Sequence, residues 1–245
     1  MNSGNSSQRL LGKIALITGA SRGIGLGIAQ VFAEAGAKII LLSKNQRSLE
    51  KIDDTFKSQG HNPTLLPFDL EQCDQIDALT QAIYDRFGRL DILVGNAAVL
   101  GTLTPLAQIE PSEWEKVLKI NLTANWRIIR ALDPLLRLSS AGRAIFLTSS
   151  VATQIRPYWG TYAISKAALE MMVKIYAAET SMTKIRVNLV NPGATRTDMR
   201  KSAFPGENSG RLQTPQDIAS AFLGLAEDSC QIHGELINLS NYGRT

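Results

Sequence analysis

Short, uninterrupted apolar runs alternate with longer helical patterns along the chain, and this alternation limits the possible folds more than any other feature. Runs such as IALI, from Ile14, and IILL, from Ile39, leave no polar face for solvent. Strands of this kind lie inside a parallel sheet that helices cover on both faces. The sequence therefore predicts an α/β fold built on a doubly wound parallel sheet of about seven strands.

The apolar runs locate the strands, and apolar residues that recur every three or four positions locate the helices. The predicted strands are residues 13–18, 38–43, 64–68, 90–94, 143–148, 185–190 and 235–239. The first predicted helix ends near Gly36, and the others span 46–59, 73–87, 112–130, 158–180 and 215–227. Ser112 and Thr214 are assigned as the N-caps of their helices.

No repeat or linker interrupts this pattern, so the 245 residues are assigned to a single domain that spans residues 11–245. A sheet of this size buries a large core without disulfides or a structural metal. Residues 1–10 are predicted to be a flexible tail, because the segment opens with small polar residues and has no apolar stretch typical of a secretion signal.

Composition and charge exclude several classes of function. The net charge is +4 with scattered basic residues, so no nucleic-acid partner is expected. Cys73, Cys230 and the two histidines show no metal-ligand or redox spacing, so no metal is expected. No apolar run approaches the ~18 residues of a membrane helix. We expect a cytoplasmic protein that acts on a small molecule without a membrane partner.

A glycine-rich turn, TGASRGIG, joins the first strand to the first helix. Glycines tolerate positive φ and let a ligand approach the backbone, and the helix start offers unpaired N–H groups to a diphosphate. A plain tight turn is the alternative explanation of this motif taken alone. The candidate cofactor-binding residues of the turn are Thr18, Gly19, Ser21, Arg22, Gly23, Ile24 and Gly25.

Further motifs follow in order, and with the glycine turn they resemble the short-chain dehydrogenase/reductase family along essentially the whole chain. They are Asp69, Asn96-Ala97-Ala98, Asn121, Ser150, Tyr162-x-x-x-Lys166 and Asn191-Pro192-Gly193. The resemblance implies a Rossmann fold and an oxidoreductase that transfers a hydride between a nicotinamide and a carbonyl or secondary alcohol. It also implies cofactor contacts from Asp69, Leu70, Asn96, Ala97, Tyr162, Lys166, Pro192, Gly193, Thr195 and Thr197.

The end of the second strand indicates NADP(H) in preference to NAD(H). In dinucleotide-binding folds an acidic residue near this point binds the ribose hydroxyls of NAD. This chain has Ser43 followed by Lys44. Together with Arg22 they offer hydrogen-bond donors and positive charge to a 2′-phosphate. The alternative is that Lys44 and Arg22 are ordinary surface charges.

Tyr162 and Lys166 lie four residues apart, so they share one face of a helix. Such pairs also arise by chance, and the position after the fifth strand is what favours a catalytic role. A phenol has a pKa near 10, and lowering it by ~3 units requires ~4 kcal/mol of differential stabilisation, which a nearby ammonium can supply in part. Tyr162 is the predicted proton donor and acceptor, and the resemblance implies that Lys166 also holds the nicotinamide ribose.

The resemblance implies two further catalytic residues. The Ser150 hydroxyl would hydrogen-bond the substrate oxygen and stabilise developing negative charge. Ser149 stays an alternative, because Ser150 lies twelve residues before Tyr162 where thirteen is common in the family. Asn121 would bend the long helix and hold a water for a proton relay.

Residues 197–213 correspond to a short substrate lid, and several side chains around it are candidates for substrate contacts. The predicted apolar wall consists of Met199, Ala203, Phe204, Tyr158 and Trp159, with Arg156 and Arg200 as candidates for an acidic substrate. A 3-oxoacyl thioester or a small ketone is compatible with such a lid.

Two other functions remain open at this point. A non-catalytic NADP-binding sensor or regulator would share the fold but would not need an acid–base group. A nucleotide-sugar epimerase-type relative also carries Tyr-x-x-x-Lys but usually has a larger substrate domain. The resemblance implies a homo-oligomer, a dimer or a tetramer, although residues 236–242 depart from the V-D-G-G-like ending common in the family.

Overall fold

The computed structural model describes residues 8–239, and its central element is one parallel sheet. The seven strands are β1 Ile14–Thr18, β2 Lys38–Ser43, β3 Thr64–Pro67, β4 Ile92–Gly95, β5 Arg143–Leu147, β6 Arg186–Asn191 and β7 Leu236–Asn238. Their order is β3-β2-β1-β4-β5-β6-β7, and every neighbouring pair is parallel. The predicted doubly wound sheet is confirmed.

Helices cover both faces of the sheet. They are α1 Gly23–Glu34, α2 Gln46–Ser58, α3 Ala78–Phe87, α4 Pro111–Leu118, α5 Ala124–Arg137, α6 Gly160–Thr180, α7 Asp198–Ala203 and α8 Pro215–Ala226. Successive strand residues point to opposite faces. Leu16 therefore packs in the apolar cluster that contains α5 and α6, whereas Ile17 packs in the cluster that contains α1 and α8. Among residues 8–239 no helix combines the length and the apolar character needed to cross a bilayer.

The long helix begins earlier than the sequence predicts. Its N-cap is Glu110 and not Ser112, because Pro111 occupies the first helical position, where a missing N–H costs nothing. The prediction for Thr214 holds: its hydroxyl accepts from the backbone of Asp217 in a reciprocal capping box at the start of α8.

The same helix also continues beyond its predicted end at residue 130. A π-helical turn, Lys119–Thr123, separates α4 from α5, and α5 runs to Arg137 through Pro134. Leu132, Leu135 and Leu136 are buried in the core. Burying three leucines outweighs the one backbone hydrogen bond that a proline removes.

The predicted tail of residues 1–10 extends too far into the chain. Residues 1–7 and 240–245 lie outside the described residues. Leu10 is fully buried, and its backbone N–H donates to the carbonyl of Ala35 at 2.8 Å. Leu10 therefore belongs to the folded chain, because an apolar side chain at this point completes the cluster beside α1.

Asp91, directly before β4, ties three segments together with one buried carboxylate. It accepts hydrogen bonds from the backbone of Ile14 at 2.9 Å, the hydroxyl of Ser139 at 2.5 Å and the guanidinium of Arg89 at 3.0 Å. Burial by itself raises the pKa of Asp91, but these donors outweigh burial and hold the pKa below its ordinary value. The ionised carboxylate therefore stabilises the fold.

We expect Asp91→Asn to lower the free energy of unfolding at pH 7 by about 2–3 kcal/mol, because three donors lose a charged acceptor. The pKa of Asp91 is lower in the folded state than in the unfolded state. The stabilisation that Asp91 adds to the free energy of unfolding is therefore complete above the unfolded pKa of about 4, and it is lost as pH falls through the folded pKa. The urea midpoints of the two proteins should therefore converge as pH falls below about 4. Asp54→Asn, a change at an exposed position, is the control. A loss of stability in Asp91→Asn that is the same at every pH would contradict the stabilising role of the ionised Asp91 carboxylate.

Candidate active site

A cleft of about 800 Å³ opens at the carboxyl ends of the strands. The strand order reverses between β1 and β4, and ligands of open α/β sheets bind at such a switch point. The predicted residues that the fold brings together in the cleft wall are Gly19, Ser21, Arg22, Gly23, Ile24, Ser43, Lys44, Asp69, Leu70, Asn96, Ala97, Tyr162, Lys166, Pro192 and Thr197.

The glycine turn is held by Asn96 from the end of β4. The Asn96 side-chain amide donates to the carbonyls of Thr18 at 2.8 Å and Gly19 at 3.2 Å. Gly19 has φ +64, and a Cβ there would lie 2.9 Å from the Cα of Ala97. Glycine is required at this position by both the backbone conformation and the close approach of the two segments.

Thr18 and Gly25 do not line the cleft, but they pack against residues that do. The Thr18 hydroxyl accepts from the backbone N–H groups of Asn96 and Ala97, each at 3.0 Å. A Cβ on Gly25 would lie 2.5 Å from both the Asn96 amide nitrogen and the Gly19 carbonyl. Both residues therefore position the turn and do not line the cleft, although they were predicted as cofactor contacts.

The start of α1 has the features of an anion site. The helix begins at Gly23, with φ +56, and its first turn contains no acidic residue and no side-chain cap. The first backbone N–H groups of a helix lack partners within it and carry the positive end of its dipole. These features fit the diphosphate of a dinucleotide.

Hydroxyl and cationic groups gather at the end of β2. The Ser43 hydroxyl donates to the Ser21 hydroxyl at 2.9 Å, and Lys44 is exposed beside them. The guanidinium of Arg22 pairs at 3.1 Å with Asp198 at the start of α7, and both side chains are about three-quarters exposed. Exposed ion pairs contribute little, so a phosphate can compete with Asp198 for Arg22.

Asp69 follows β3 and forms a local turn. Its carboxylate accepts from the backbone N–H of Glu71 at 3.0 Å. The next residue, Leu70, is buried but also reaches the cleft wall. The turn and a ligand contact are compatible for Asp69, because a carboxylate has more than one acceptor position.

Tyr162 and Lys166 lie on the first two turns of α6, and both are buried in the cleft wall, with 8% and 2% exposure. The ammonium nitrogen of Lys166 donates to the carbonyl of Leu147 at 2.8 Å and lies 5.8 Å from the centroid of the Tyr162 ring. Burial lowers the pKa of Lys166 to about 8, and the carboxylate of Glu170 opposes that shift.

Burial also raises the pKa of Tyr162 to about 12. The prediction that Lys166 lowers this pKa is therefore not met by the protein's side chains alone. The reason is geometric: the ammonium bonds the carbonyl of Leu147 and faces the tyrosine ring, while the phenolate form loses hydration in the buried wall. Additional positive charge on the open side of the cleft would lower the pKa of Tyr162.

Asn121 lies in the π-helical turn and is fully buried. Its side-chain oxygen accepts from the backbone of Val99 at 2.8 Å, and its amide donates to the Val99 carbonyl at 2.9 Å and to the Ser165 hydroxyl at 3.0 Å. Asn121 thus joins the segment after β4 to α6 and is not part of the cleft wall. Its role in a proton relay stays a prediction.

Ser149 and Ser150 are both half-buried at the end of β5. Ser149 is extended and Ser150 begins a 3-10 turn, Ser150–Ala152. Within residues 8–239 neither hydroxyl donates a hydrogen bond, and neither serine lines the cleft wall. The choice between them therefore stays open, and Thr148 is the hydroxyl residue of this segment that does reach the wall.

The predicted lid is anchored at its base. Thr195 is buried and bridges in parallel to Gln213, and the backbone of Arg196 donates to the Gln213 carbonyl at 2.8 Å. Thr195 and Gly193 do not line the cleft, so their predicted contacts with a cofactor are not seen in the wall.

Aromatic rings link the lid to Tyr162. The ring centroids of Trp159 and Phe204 are 5.7 Å apart, and Trp159 meets the Tyr162 ring edge-on at 6.1 Å. The guanidinium of Arg200 lies 3.8 Å from the Phe204 centroid and bonds both carboxylate oxygens of Glu207 at 2.6 Å. Glu207 thus neutralises Arg200, which we had considered for an acidic substrate.

The rest of the predicted apolar wall is only partly present. Met199 lines the cleft together with Phe204, whereas Ala203 does not. Tyr158 is 59% exposed and is the one non-glycine residue with positive φ among residues 8–239. Tyr158 and Arg156 lie outside the wall, because the turn before α6 directs them toward solvent.

Two buried polar residues beside the cleft, Thr148 and Glu170, are absent from the sequence-based predictions. The Thr148 hydroxyl donates to the Glu170 carboxylate at 2.7 Å, and both residues are buried. One signal was available: Glu170 follows Lys166 by four residues and therefore lies on the same helix face. An acidic residue on the buried side of a helix is unusual unless it has a partner.

Comparisons with known proteins agree with this geometry. A family model described as short chain dehydrogenase matches residues 13–208. An uncharacterized oxidoreductase, YciK, of Escherichia coli (strain K12) is 40% identical over 219 residues, which are 88% of this chain and 86% of that protein. The 3-oxoacyl-(acyl-carrier-protein) reductase FabG of Vibrio cholerae is 34% identical over 240 residues, with coverage of 94% and 97%.

A solved structure shows the same similarity in three dimensions. The short chain dehydrogenase from Shigella flexneri 2a str. 301, complexed with NADP, superposes with a TM-score of 0.90 at 39% identity. The match covers 94% of this chain and 98% of that one.

Gly25→Ala should weaken binding of a dinucleotide at least about tenfold, because the added methyl group must displace Asn96 or Gly19 from the glycine turn. Equilibrium titration of the nucleotide's fluorescence measures the effect. Gly224→Ala in α8 is the matched control, since nothing lies within 4 Å of its Cβ position. Equal affinity of the two variants would show that the turn tolerates a side chain.

Proposed function

Because the chain belongs to the short-chain dehydrogenase/reductase family and is an oxidoreductase that acts on CH–OH or C=O groups, we propose that it binds NADP(H) in preference to NAD(H). The proposed reaction is the reversible reduction of a ketone or aldehyde to an alcohol. The observation that carries the proposal is the placement of Tyr162 and Lys166 in the wall of the cleft that the glycine turn closes.

The residues present fit the cofactor at both ends of the cleft. The start of α1 would hold the diphosphate through backbone N–H groups, as its uncapped first turn supports. Ser43, Lys44 and Arg22 would hold the 2′-phosphate, and the NADP complex of the Shigella flexneri relative supports the same ligand here. The carboxylates of the wall, Asp69, Asp198 and Glu207, each have a donor in the structure already.

When bound, the reduced nicotinamide supplies the hydride that adds to the carbonyl carbon. Tyr162 then donates its hydroxyl proton to the carbonyl oxygen, which completes the alcohol and leaves a phenolate. The Lys166 ammonium, 5.8 Å from the centroid of the Tyr162 ring, would supply part of the stabilisation of that phenolate, and positive charge on the open side of the cleft would supply the rest. Ser150, or Ser149 beside it, is the proposed donor to the substrate oxygen, and Asn121 holds the backbone of Val99 after β4.

The lid favours an apolar group next to the carbonyl. Met199, Phe204 and Leu212 line the cleft, and the guanidinium of Arg200 is already neutralised. The likeness to FabG of Vibrio cholerae supports a 3-oxoacyl thioester as one substrate class, and a small apolar ketone is the other. A panel of both classes, followed by NADPH absorbance, separates them. A non-catalytic NADP sensor would bind the nucleotide in that assay without turning any substrate over.

Tyr162→Phe should lower kcat for the best substrate of that panel by at least about 100-fold, because the proton donor is lost. The affinity for NADPH should change by no more than a few-fold, since the ring remains. The matched control is Tyr84→Phe, whose ring is half exposed on α3. Turnover by the Tyr162 variant near the wild-type rate would refute the acid–base assignment.

Lys44→Asp should move the ratio of kcat/KM for NADPH over NADH toward NADH by at least about tenfold, because a carboxylate repels the 2′-phosphate and accepts from ribose hydroxyls. Lys51→Asp, an equal charge change on the exposed face of α2, should leave the ratio unchanged. The 2′-phosphate assignment fails if both variants keep the wild-type ratio.

A further inference from the structure

The buried carboxylate of Glu170 has no part in the chemistry described above, yet it lies one helical turn from Lys166 on the same face of α6. We propose that Glu170 is a positioning residue: its carboxylate, fixed by the Thr148 hydroxyl, keeps the Lys166 ammonium charged beside Tyr162. The inference rests on the proposed function, because it assigns a role within the same acid–base group.

The geometry places both charges against the end of one strand. Leu147 and Thr148 are consecutive, and they contact residues that are one turn apart on α6. The Leu147 carbonyl accepts from the Lys166 ammonium at 2.8 Å, and the Thr148 hydroxyl donates to the Glu170 carboxylate at 2.7 Å. The exposed fractions are 2% for Lys166, 5% for Glu170 and 3% for Thr148. Each charged group is therefore held by a specific partner away from water.

The electrostatic need is clear from the burial of Lys166. An ammonium without water or a counter-charge loses its proton readily, and burial alone would carry the pKa of Lys166 below about 8. Glu170 is the charged residue whose field opposes this loss of the proton from Lys166. The other groups facing the lysine are neutral: the Leu147 carbonyl of β5, and Tyr162 one turn earlier on α6.

The neighbouring elements leave Glu170 without a competing cation. The π-helical turn contributes Asn121 to this face of α6, where its amide donates to the Ser165 hydroxyl, a neutral contact. Lys174, one turn beyond Glu170 on the same helix, is exposed to solvent. Lys166 is thus a buried cation on the same face of α6 as Glu170, and the Glu170 carboxylate acts on it through its field and not through an ion pair. A neutral Lys166 would give no stabilisation to the phenolate of Tyr162.

The first experiment is the pH profile of kcat/KM for carbonyl reduction by Glu170→Gln. The amide keeps an oxygen for the Thr148 hydroxyl but removes the charge. Wild-type kcat/KM should fall above about pH 8 as Lys166 deprotonates. In Glu170→Gln the decline of kcat/KM with rising pH should begin about one pH unit lower than in the wild type. The kcat/KM of the variant should therefore be about fivefold below the wild-type value at about pH 8 and less than about twofold below it at about pH 6. Glu170→Asp, which keeps the negative charge, should restore most of the wild-type pH dependence of kcat/KM.

Glu179→Gln, the same change on the exposed side of α6, is the matched control and should keep the wild-type profile. A Glu170→Gln profile that is scaled down equally at every pH would overturn the proposal, because a purely structural defect has that signature.

The second experiment does not need turnover. Lys166 has a lower pKa folded than unfolded, so the unfolded state binds more protons between these values and stability rises with pH there. Removing the Glu170 charge lowers the folded pKa further. The urea midpoint of Glu170→Gln should therefore lie below that of the wild type near about pH 6 and converge with it above about pH 9.

Repeating the comparison in a Lys166→Met background completes a double-mutant cycle. In that background the difference in urea midpoint caused by Glu170→Gln should no longer vary with pH. A difference that still varies with pH when Lys166 is absent would overturn the proposal. If no carbonyl substrate is turned over by the wild type, the proposed function fails, whereas the cycle still reports on the Lys166–Glu170 pair. If the cycle shows coupling but the pH profile of turnover is unchanged, the positioning role is wrong.

Discussion

Burial of the parallel sheet on both faces constrains everything else in this molecule. Each strand carries apolar side chains into two separate clusters, so neither face has room for polar chemistry. Polar side chains can gather only where the strands end, and the reversal of strand order between β1 and β4 opens a cleft at that edge. The residues that bind and react therefore come from the ends of different strands and from the helices that follow them.

Close packing of backbone segments fixes the cofactor side of that cleft. Asn96, from the end of β4, bonds the carbonyls of the glycine turn and fills the space between Gly19 and Gly25. The glycines thus serve two purposes, since they let β4 approach the turn from inside and leave the backbone open to a ligand from outside. This explains why Thr18 and Gly25 matter although neither lines the wall.

The side of the cleft that contains Tyr162 and Lys166 presents an opposite problem, because burial disfavours the charged forms of both side chains. It raises the pKa of Tyr162 to about 12 and lowers that of Lys166 to about 8. In the protein by itself, burial outweighs any effect of Lys166 on the pKa of Tyr162. In the proposal, Glu170 is the counter-charge that opposes the lowered pKa of Lys166. Positive charge on the open side of the cleft would oppose the raised pKa of Tyr162.

The sequence predicted the order and type of the main elements because apolar periodicity is a local property. It predicted most cleft residues too, since the glycine turn and Tyr-x-x-x-Lys have fixed places relative to strands. Its errors follow from long-range packing: the leucines that carry α5 through Pro134, and the contact that buries Leu10.

What the sequence determined by itself is the sheet, the place of the cleft and the presence of Tyr162 and Lys166 in its wall. Tertiary structure alone decided which side chains face one another across segments: Asn96 against the glycine turn, Glu207 on Arg200, and Thr148 on Glu170. Such contacts join residues that no local pattern relates. The protonation of Tyr162 and Lys166 depends on them, because a pKa is set by burial and by neighbouring charges, and both exist only once the chain has folded.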